Sequence, residues 1–215
     1  LAWAPDGSEI AYTCRKKTGM EYALSTNSDI YLYNLNTRTH TNATEGMEGY
    51  DTNPAYSPDG HYLAWQSMER DGYESDENRL FVMNRTTGEK TFVSKGLDTN
   101  VDAFLWADNE TIIFSACWHA TVHVYSTNLQ GERAELTSGQ YDYEPMACLD
   151  GNLYYLRHSM CEANELFMQD LHSGKVVQLT HENDNIYSQI EMGTVIPRWQ
   201  TTTDGQQMLT WIILP

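Results

Sequence analysis

Residues 54–67 read Pro-Ala-Tyr-Ser-Pro-Asp-Gly-His-Tyr-Leu-Ala-Trp-Gln-Ser, and the first seven of them recur along the chain. Pro58-Asp59-Gly60 has the chemistry of a tight turn, because proline sets φ and glycine supplies a positive φ. The residues that follow, 61–67, have the pattern of a half-buried strand. The stretch therefore predicts two strands joined by a short turn.

Three other stretches repeat this arrangement. They are Leu-Ala-Trp-Ala-Pro-Asp-Gly at 1–7, Phe-Leu-Trp-Ala-Asp-Asn-Glu at 104–110 and Pro-Met-Ala-Cys-Leu-Asp-Gly at 145–151. The turn aspartates are Asp6, Asp59, Asp108 and Asp150, separated by 53, 49 and 42 residues. Periods of about 40–50 residues with several strands each indicate the blades of a β-propeller. Trp3, Tyr56 and Trp106 share one position in the repeat, and we expect them to pack between blades.

The interior of each period supports this interpretation. A polar loop at 68–78 follows the strand at 61–67, and then come a strand at 79–84, a turn at 85–89 and a short strand at 90–94. No helical periodicity is visible. We predict an all-β partial propeller of about four blades, each of four antiparallel strands. The blades occupy residues 1–50, 51–101, 102–143 and 144–197, and a hairpin around Asp204-Gly205 follows at 198–215.

The composition excludes two classes of partner. Thirteen Lys and Arg residues stand against 30 Asp and Glu residues, which gives a net charge of −17. Such a surface repels phosphate backbones, so we expect no nucleic-acid binding. No apolar run approaches the ~18–20 residues that a membrane helix needs, so we expect no membrane partner.

Cysteines and histidines do not indicate a metal or cofactor site. No two of the four cysteines form a Cys-x-x-Cys motif, and isolated apolar thiols are the main interpretation. A Cys148–Cys161 disulfide is the alternative if the chain is exported. His119 and His123 are four residues apart in a strand-like stretch, where they are separated by ~13 Å and cannot share one zinc ion. We expect ordinary strand histidines, no metal and no cofactor.

Three features together resemble the prolyl oligopeptidase family of serine peptidases, in particular its dipeptidyl-peptidase and acylaminoacyl-peptidase branches. They are the Pro-x-Tyr-Ser-Pro-Asp-Gly-x-x-Leu-Ala-Trp stretch, the acidic loop Met-Glu-Arg-Asp-Gly-Tyr-Glu at 68–74 and the hairpin at 198–215. The resemblance implies a propeller of seven or eight blades that caps an α/β-hydrolase domain and filters peptides. It also implies that 198–215 opens that domain. We therefore expect a longer, periplasmic or otherwise exported enzyme, with a cytoplasmic location as the alternative.

The chemistry of such an enzyme requires a nucleophile in a Gly-x-Ser-x-Gly elbow, and the sequence contains no such motif. We can therefore name no catalytic residue, and we expect the chain alone to be inactive. Its expected role is to gate and orient the peptide substrates of the parent enzyme. The alternative is a free-standing TolB-like or WD40-like propeller that binds a protein partner.

Clusters of acidic residues are the candidate binding groups, because a carboxylate suits the ammonium group at a peptide's amino terminus. We expect all of them in loops on one face of the propeller: Asp51, Glu69, Asp71, Glu74, Asp76, Glu77, Asp98, Asp102, Asp142, Glu144, Glu182 and Asp184. The main candidates are Glu69, Arg70, Asp71, Tyr73 and Glu74, and the alternative is an ordinary solvated loop. Four blades also leave two open ends, which predicts self-association.

Overall fold

Each copy of the repeat folds into one four-stranded antiparallel sheet. The structure is a computed structural model that describes residues 1–215. Blade 1 contains β1 (Ala2–Trp3), β2 (Glu9–Cys14), β3 (Asp29–Asn34) and β4 (His40–Asn42), and blade 2 contains β5 (Asp51–Tyr56), β6 (Tyr62–Ser67), β7 (Arg79–Asn84) and β8 (Lys90–Phe92). Blade 3 contains β9 (Ala103–Trp106), β10 (Thr111–Trp118), β11 (Thr121–Asn128) and β12 (Arg133–Glu135), and blade 4 contains β13 (Asp142–Leu149), β14 (Asn152–His158), β15 (Glu165–Asp170) and β16 (Val176–Gln178). The hairpin β17 (Thr194–Thr201) and β18 (Gln207–Leu214) follows. The predicted partial propeller is confirmed.

Three details differ from the sequence-based expectation. Two short helices are present, α1 (Gly19–Leu24) and α2 (Asp184–Tyr187), and each is too short to produce a visible periodicity. Strand β13 begins at Asp142, two residues before the expected start of blade 4. Strand β17 begins at Thr194, four residues before the expected hairpin. Neither helix is long and apolar enough to cross a membrane.

The turn between the third and fourth strands of every blade begins with a short amide or carboxylate side chain. Its Oδ1 atom accepts hydrogen bonds from backbone N–H groups two to four residues further along the chain. The four residues are Asn34, Asn84, Asn128 and Asp170. Such side chains satisfy turn amides that the strand ladder leaves unpaired. This repeated bond therefore fixes where each outer strand turns back.

A second repeated bond closes the other end of each outer strand. A hydroxyl group after the fourth strand accepts a hydrogen bond, 2.8–3.0 Å long, from a backbone N–H in the first half of the third strand. The hydroxyl residues are Thr44, Ser94, Thr137 and Thr180. Leaving a buried N–H without an acceptor costs about 1–3 kcal/mol, so these hydroxyls stabilise the blade where its ladder ends.

The hydrophobic core is divided into three clusters, each between two consecutive blades. The cluster between blades 1 and 2 is centred on Ile30 and Trp65, and both residues are fully buried. Leu80 and Phe114 lie in the cluster between blades 2 and 3, and Tyr155 lies in the cluster between blades 3 and 4. The strands of blade 4 make no contact with those of blade 1. The four blades therefore form an open arc rather than a closed ring.

Asp51, at the start of β5, is a fully buried carboxyl group in the contact between blades 1 and 2. The indole Nε1 of Trp65 donates a hydrogen bond of 3.1 Å to its Oδ1 atom, while Oδ2 is buried without a partner. Burial raises the pKa of Asp51 from 3.8 to about 6. Burial disfavours the charged form of this carboxyl group, so Asp51 holds its proton to a higher pH than an exposed aspartate does.

We expect Asp51 to make the free energy of unfolding depend on pH. Since its folded pKa is raised, its stabilising contribution is complete below about pH 4 and is lost as the pH rises through about 6. The change is at most about 3 kcal/mol, at ~1.4 kcal/mol per pKa unit. Asp51→Asn keeps the acceptor for Trp65 but cannot ionise, so its urea denaturation should lose this dependence between about pH 4.5 and 8. The exposed control Asp98→Asn should retain it, and identical profiles for Asp51→Asn and wild type would contradict the assignment.

Candidate functional site

The long connections of the arc share one surface, which we call the loop face. It consists of the loops between the second and third strands of each blade and the links between blades. The loop 68–78 contacts the β2–β3 loop of blade 1 through Asp71 and the β8–β9 link through Asn78. These contacts place both sets of loops at one edge of the sheets, as expected from the sequence.

Asp71 is held against blade 1. Its carboxylate accepts hydrogen bonds from the Ser25 hydroxyl (2.7 Å) and from the backbone N–H groups of Thr26 (2.6 Å) and Asn27 (3.2 Å). These donors lower the pKa of Asp71 to about 2, with the Ser25 hydroxyl as the largest cause. The carboxylate of Asp71 therefore joins two blades through bonds to blade 1.

A glycine permits the close approach of this loop to the preceding link. A Cβ atom at Gly49 would lie 2.4 Å from the carbonyl oxygen of Met68, a distance that no side chain can occupy. The N–H of Met68 in turn donates to the carbonyl oxygen of Tyr50 at 2.9 Å. The first residue of the loop is therefore fixed by backbone contact with the link between blades 1 and 2.

Arg70 and Tyr73 are brought together. The guanidinium group of Arg70 lies 3.9 Å from the centre of the Tyr73 ring and is paired with the carboxylate of Asp76. The backbone N–H of Arg70 also donates to Asp76, at 2.9 Å. The positive charge of Arg70 is thus balanced inside the loop.

All five candidates are exposed, but Glu69 and Glu74 have fewer hydrogen-bond partners within the fold than Arg70 and Asp71 have. Glu69 is 71% exposed, and its Oε2 atom lies 3.5 Å from the guanidinium of Arg79. Glu74 accepts a hydrogen bond of 3.2 Å from the hydroxyl of Tyr50, at the rim of a shallow depression. These two carboxylates are the members of the predicted set that can still receive a cationic group.

We expect Asp71→Asn to loosen the junction between blades 1 and 2, because an amide accepts fewer of these hydrogen bonds and carries no charge. Amide hydrogen exchange should become faster at Thr26 and Asn27. The exposed variant Glu74→Gln should leave these amides unchanged. Because the folded pKa of Asp71 is lowered, the wild-type contact should be intact above about pH 4 and weaken as the pH falls towards 2. Unchanged protection in Asp71→Asn would contradict this role.

Several residues expected in loops or strands lie elsewhere. Asp51, Asp142 and Glu144 belong to β5 and β13, because these inner strands begin earlier than the turn pattern indicated. His119 lies in the β10–β11 turn rather than in a strand, with a φ of +52°. His123 is a strand residue, and its ring nitrogens face the Glu135 carboxylate (2.6 Å) and the Gly139 carbonyl oxygen (3.0 Å).

The hairpin β17–β18 lies against the loop face of blades 3 and 4. The ring of His119 lies between Trp118 and Trp199, tilted against the first at a centroid distance of 4.7 Å and edge-on to the second at 4.9 Å. At the other side, the thiol of Cys161 contacts the carbonyl oxygen of Gly193 at 3.2 Å. All four cysteines are free thiols, and the alternative Cys148–Cys161 disulfide is absent from the structure.

A cavity of about 400 Å³ separates the hairpin from the blades. Its walls include Tyr141, Asp142, Met160, Glu162 and Trp211. The indole Nε1 of Trp211 is buried there without an acceptor. Asp142 accepts the backbone N–H of Val122 at 2.8 Å, and Glu162 lies 3.4 Å from the guanidinium of Arg157. The cavity thus combines an unpaired donor, two carboxylates and aromatic walls.

Sequence reasoning missed this cavity. The available signal was the alternation within the hairpin, because Pro197 pairs with Trp211 and Trp199 pairs with Leu209. Directly opposed residues point to the same side of a sheet, so Trp211 shares a face with Pro197. Residues two apart in a strand also share a face, so Trp199 lies on that face as well. What that face covers depends on how the hairpin folds back onto blades 3 and 4, which no local pattern specifies.

Comparison with known proteins agrees with this architecture. A family model described as the TolB beta propeller domain matches residues 1–212. Dipeptidyl-peptidase 5 of Porphyromonas gingivalis is 46% identical over a 218-residue alignment that covers 100% of this chain and 32% of that protein. The chain therefore spans about a third of the length of this relative. This match confirms the resemblance to the dipeptidyl-peptidase branch.

Solved structures support the fold. An acylaminoacyl peptidase from Pyrococcus horikoshii aligns with a TM-score of 0.74 at 20% identity, covering 96% of this chain and 31% of that one. TolB from Acinetobacter baumannii aligns with a TM-score of 0.57 at 17% identity, covering 99% and 50%. At such identities the similarity concerns the propeller architecture alone.

Proposed function

The chain belongs to the TolB β-propeller family, and on that premise we propose that it is the non-catalytic propeller region of a serine exopeptidase similar to dipeptidyl-peptidase 5. In that enzyme it gates peptide substrates and orients them at the loop face. The observation that carries this proposal is the 46% identity to dipeptidyl-peptidase 5 along the whole chain. The hairpin β17–β18 would then be the start of the hydrolase domain, and the enzyme would be periplasmic or otherwise exported.

The charges of the loop face support the orienting role. Asp71 and Arg70 are engaged by several hydrogen bonds within the fold, whereas Glu69 and Glu74, exposed on the same loop, each have one partner. An exopeptidase acts next to a free peptide terminus, and a carboxylate binds the ammonium group there by a charge-assisted hydrogen bond. We propose that Glu69 and Glu74 provide this contact, beside the Arg70–Tyr73 pair.

In the full-length enzyme, Glu69→Gln or Glu74→Gln should raise KM for dipeptide-releasing substrates about ten- to hundredfold. This is the expected effect of losing a hydrogen bond worth ~1.5–3 kcal/mol that is made in the ground state and the transition state alike, so kcat should change little. The matched control is Glu89→Gln, an exposed glutamate in the β7–β8 turn at the opposite edge of the same blade. Unchanged KM in both loop variants would contradict the proposed contact and indicate that the loop is an ordinary solvated surface.

The 215-residue chain by itself should not hydrolyse peptides, because its sequence contains no Gly-x-Ser-x-Gly elbow. Incubation with chromogenic dipeptide and acyl-amino-acid substrates checks this expectation. Turnover that co-purifies with the chain and is blocked by a serine-directed phosphonate would refute it.

The alternative is a TolB-like propeller that binds a protein partner, and the structural similarity to TolB supports it. The two functions differ in what the gene encodes beyond this segment. A Gly-x-Ser-x-Gly motif downstream supports the peptidase, whereas further blades without that motif support the binding protein.

A further inference from the structure

The cavity between the hairpin and the blades is bounded by four separate parts of the chain. They are the β10–β11 turn, the link that leads into β13, the β14–β15 loop and the hairpin β17–β18 itself. Its volume of about 400 Å³ lies within the range of about 300–1,000 Å³ that is typical of small-molecule sites. The cavity can therefore accommodate a ligand about the size of an amino-acid residue.

The charged side chains that line the cavity are all acidic. They are Asp142 and Glu162, and no lysine, arginine or histidine belongs to the wall. Two basic side chains approach these carboxylates from outside it: the ring of His158 lies 3.5 Å from Asp142, and the guanidinium of Arg157 lies 3.4 Å from Oε2 of Glu162. The other carboxylate oxygen of Glu162, Oε1, has no partner in the chain. The cavity thus presents negative charge to a ligand.

Such a charge suits an organic cation better than a metal ion. No group of three or more His, Cys, Asp or Glu side chains is placed to hold a metal, whereas Ca²⁺ takes about six to eight oxygen ligands. Residues 142–193 contain two Lys and Arg against nine Asp and Glu, a net charge of −7. This part of the chain therefore attracts cations towards the cavity.

The rest of the wall is largely apolar. Met160, Val195 and the aromatic side chains of Tyr141 and Trp211 line the same cavity as the two carboxylates. The side chains of lysine and arginine bury their methylene groups against apolar surface while the charged end reaches a polar group. Their cations are also attracted to the faces of aromatic rings. A basic side chain therefore matches both halves of this wall.

Trp211 adds a requirement for an acceptor. Its indole Nε1 is buried and donates to no atom of the chain. A buried N–H group without an acceptor is unfavourable, and a carbonyl oxygen of a ligand would satisfy it. A simple alkylamine has no such oxygen, whereas a lysine or arginine residue in a peptide has a carbonyl group next to its side chain. The unpaired donor thus favours a basic residue that belongs to a peptide.

We propose that this cavity binds a lysine or arginine residue of a peptide. The ammonium or guanidinium group of that residue contacts Asp142 and Glu162, and its methylene groups lie against Met160. A backbone carbonyl oxygen of the peptide accepts the hydrogen bond from Nε1 of Trp211. The site is separate from the loop 68–78 and independent of the function proposed above, because it recognises a side chain and not a free amino terminus.

An NMR titration of the isotope-labelled 215-residue chain with Nα-acetyl-lysine amide tests the proposal. The acetyl group removes the free amino terminus, so only the side chain is cationic. Binding should shift the amide signals of the wall residues Thr121, Gln140 and Cys161. Nα-acetyl-norleucine amide has the same four-carbon stem without the ammonium group, and it should bind about tenfold more weakly or worse. Salt at about 0.15 M screens the general attraction of an acidic surface.

Asp142→Asn and Glu162→Gln should each weaken the binding of Nα-acetyl-lysine amide about tenfold, because each removes one charge-assisted contact. Asp142→Asn keeps the Oδ1 atom that accepts the backbone N–H of Val122, so the bond between blades 3 and 4 is retained. The matched control is Glu110→Gln, an exposed glutamate in the β9–β10 turn at the opposite edge of blade 3. It should bind the probe as the wild type does.

Trp211→Phe keeps an aromatic wall but removes the N–H donor, so it should weaken the binding of both acetylated probes by the same factor. Equal affinity of the wild type for the two probes would overturn the proposal, and so would an unchanged Kd in both carboxylate variants. The absence of shifts at the wall amides up to about 10 mM probe would also overturn it. If lysine amide binds and its Nα-acetyl derivative does not, the site holds an amino terminus and the proposal is wrong. The comparison of the two probes uses the wild-type chain alone, so it remains decisive if a variant fails to fold.

Discussion

A four-stranded sheet whose two faces are both apolar is not stable alone, and this constraint organises the whole molecule. Where two blades meet, large aromatic residues of one blade pack against smaller aliphatic residues of the blade before it. Ala11 and Ile30 therefore pack on Trp65, and Leu80 and Val82 pack on Phe114. Because the same unlike faces meet each time, the blades follow one another around an arc, and the core is a series of clusters instead of one central cluster.

Two polar bonds make each blade a complete unit before it packs. The turn asparagine or aspartate, such as Asn84, and the hydroxyl that follows the fourth strand, such as Ser94, satisfy backbone groups at the two ends of the outer strand. They recur in all four blades although the surrounding residues differ. The reason is geometric, since every blade ends its outer hydrogen-bond ladder in the same way. The hydrogen bonds of the repeat are thus more alike from blade to blade than the residue identities are.

The loop face illustrates how far residue type alone can indicate a binding site. The sequence indicated five charged or aromatic residues, and all five lie within residues 69–74 of one loop. The fold then divides them by contact. Asp71 is held by donors from a loop some 45 positions away, and Arg70 by Asp76, while Glu69 and Glu74 stay exposed. A carboxylate that orders a loop and one that has few partners cannot be distinguished in the sequence, because the difference lies in where the donors of another blade are placed.

The sequence by itself determined the all-β class, the number of blades and the place of nearly every turn. Proline, glycine and aspartate act within a few residues of their own positions, and strand alternation is equally local. Tertiary structure alone decided that Trp3 is exposed while Tyr56 is buried, and that a cavity with Trp211 in its wall lies between the hairpin and the blades. Each of these depends on whether another sheet or loop lies against a given surface. Two aromatic residues at equivalent positions of the repeat can therefore differ strongly in burial, because burial depends on the neighbouring sheet as well as on the residue.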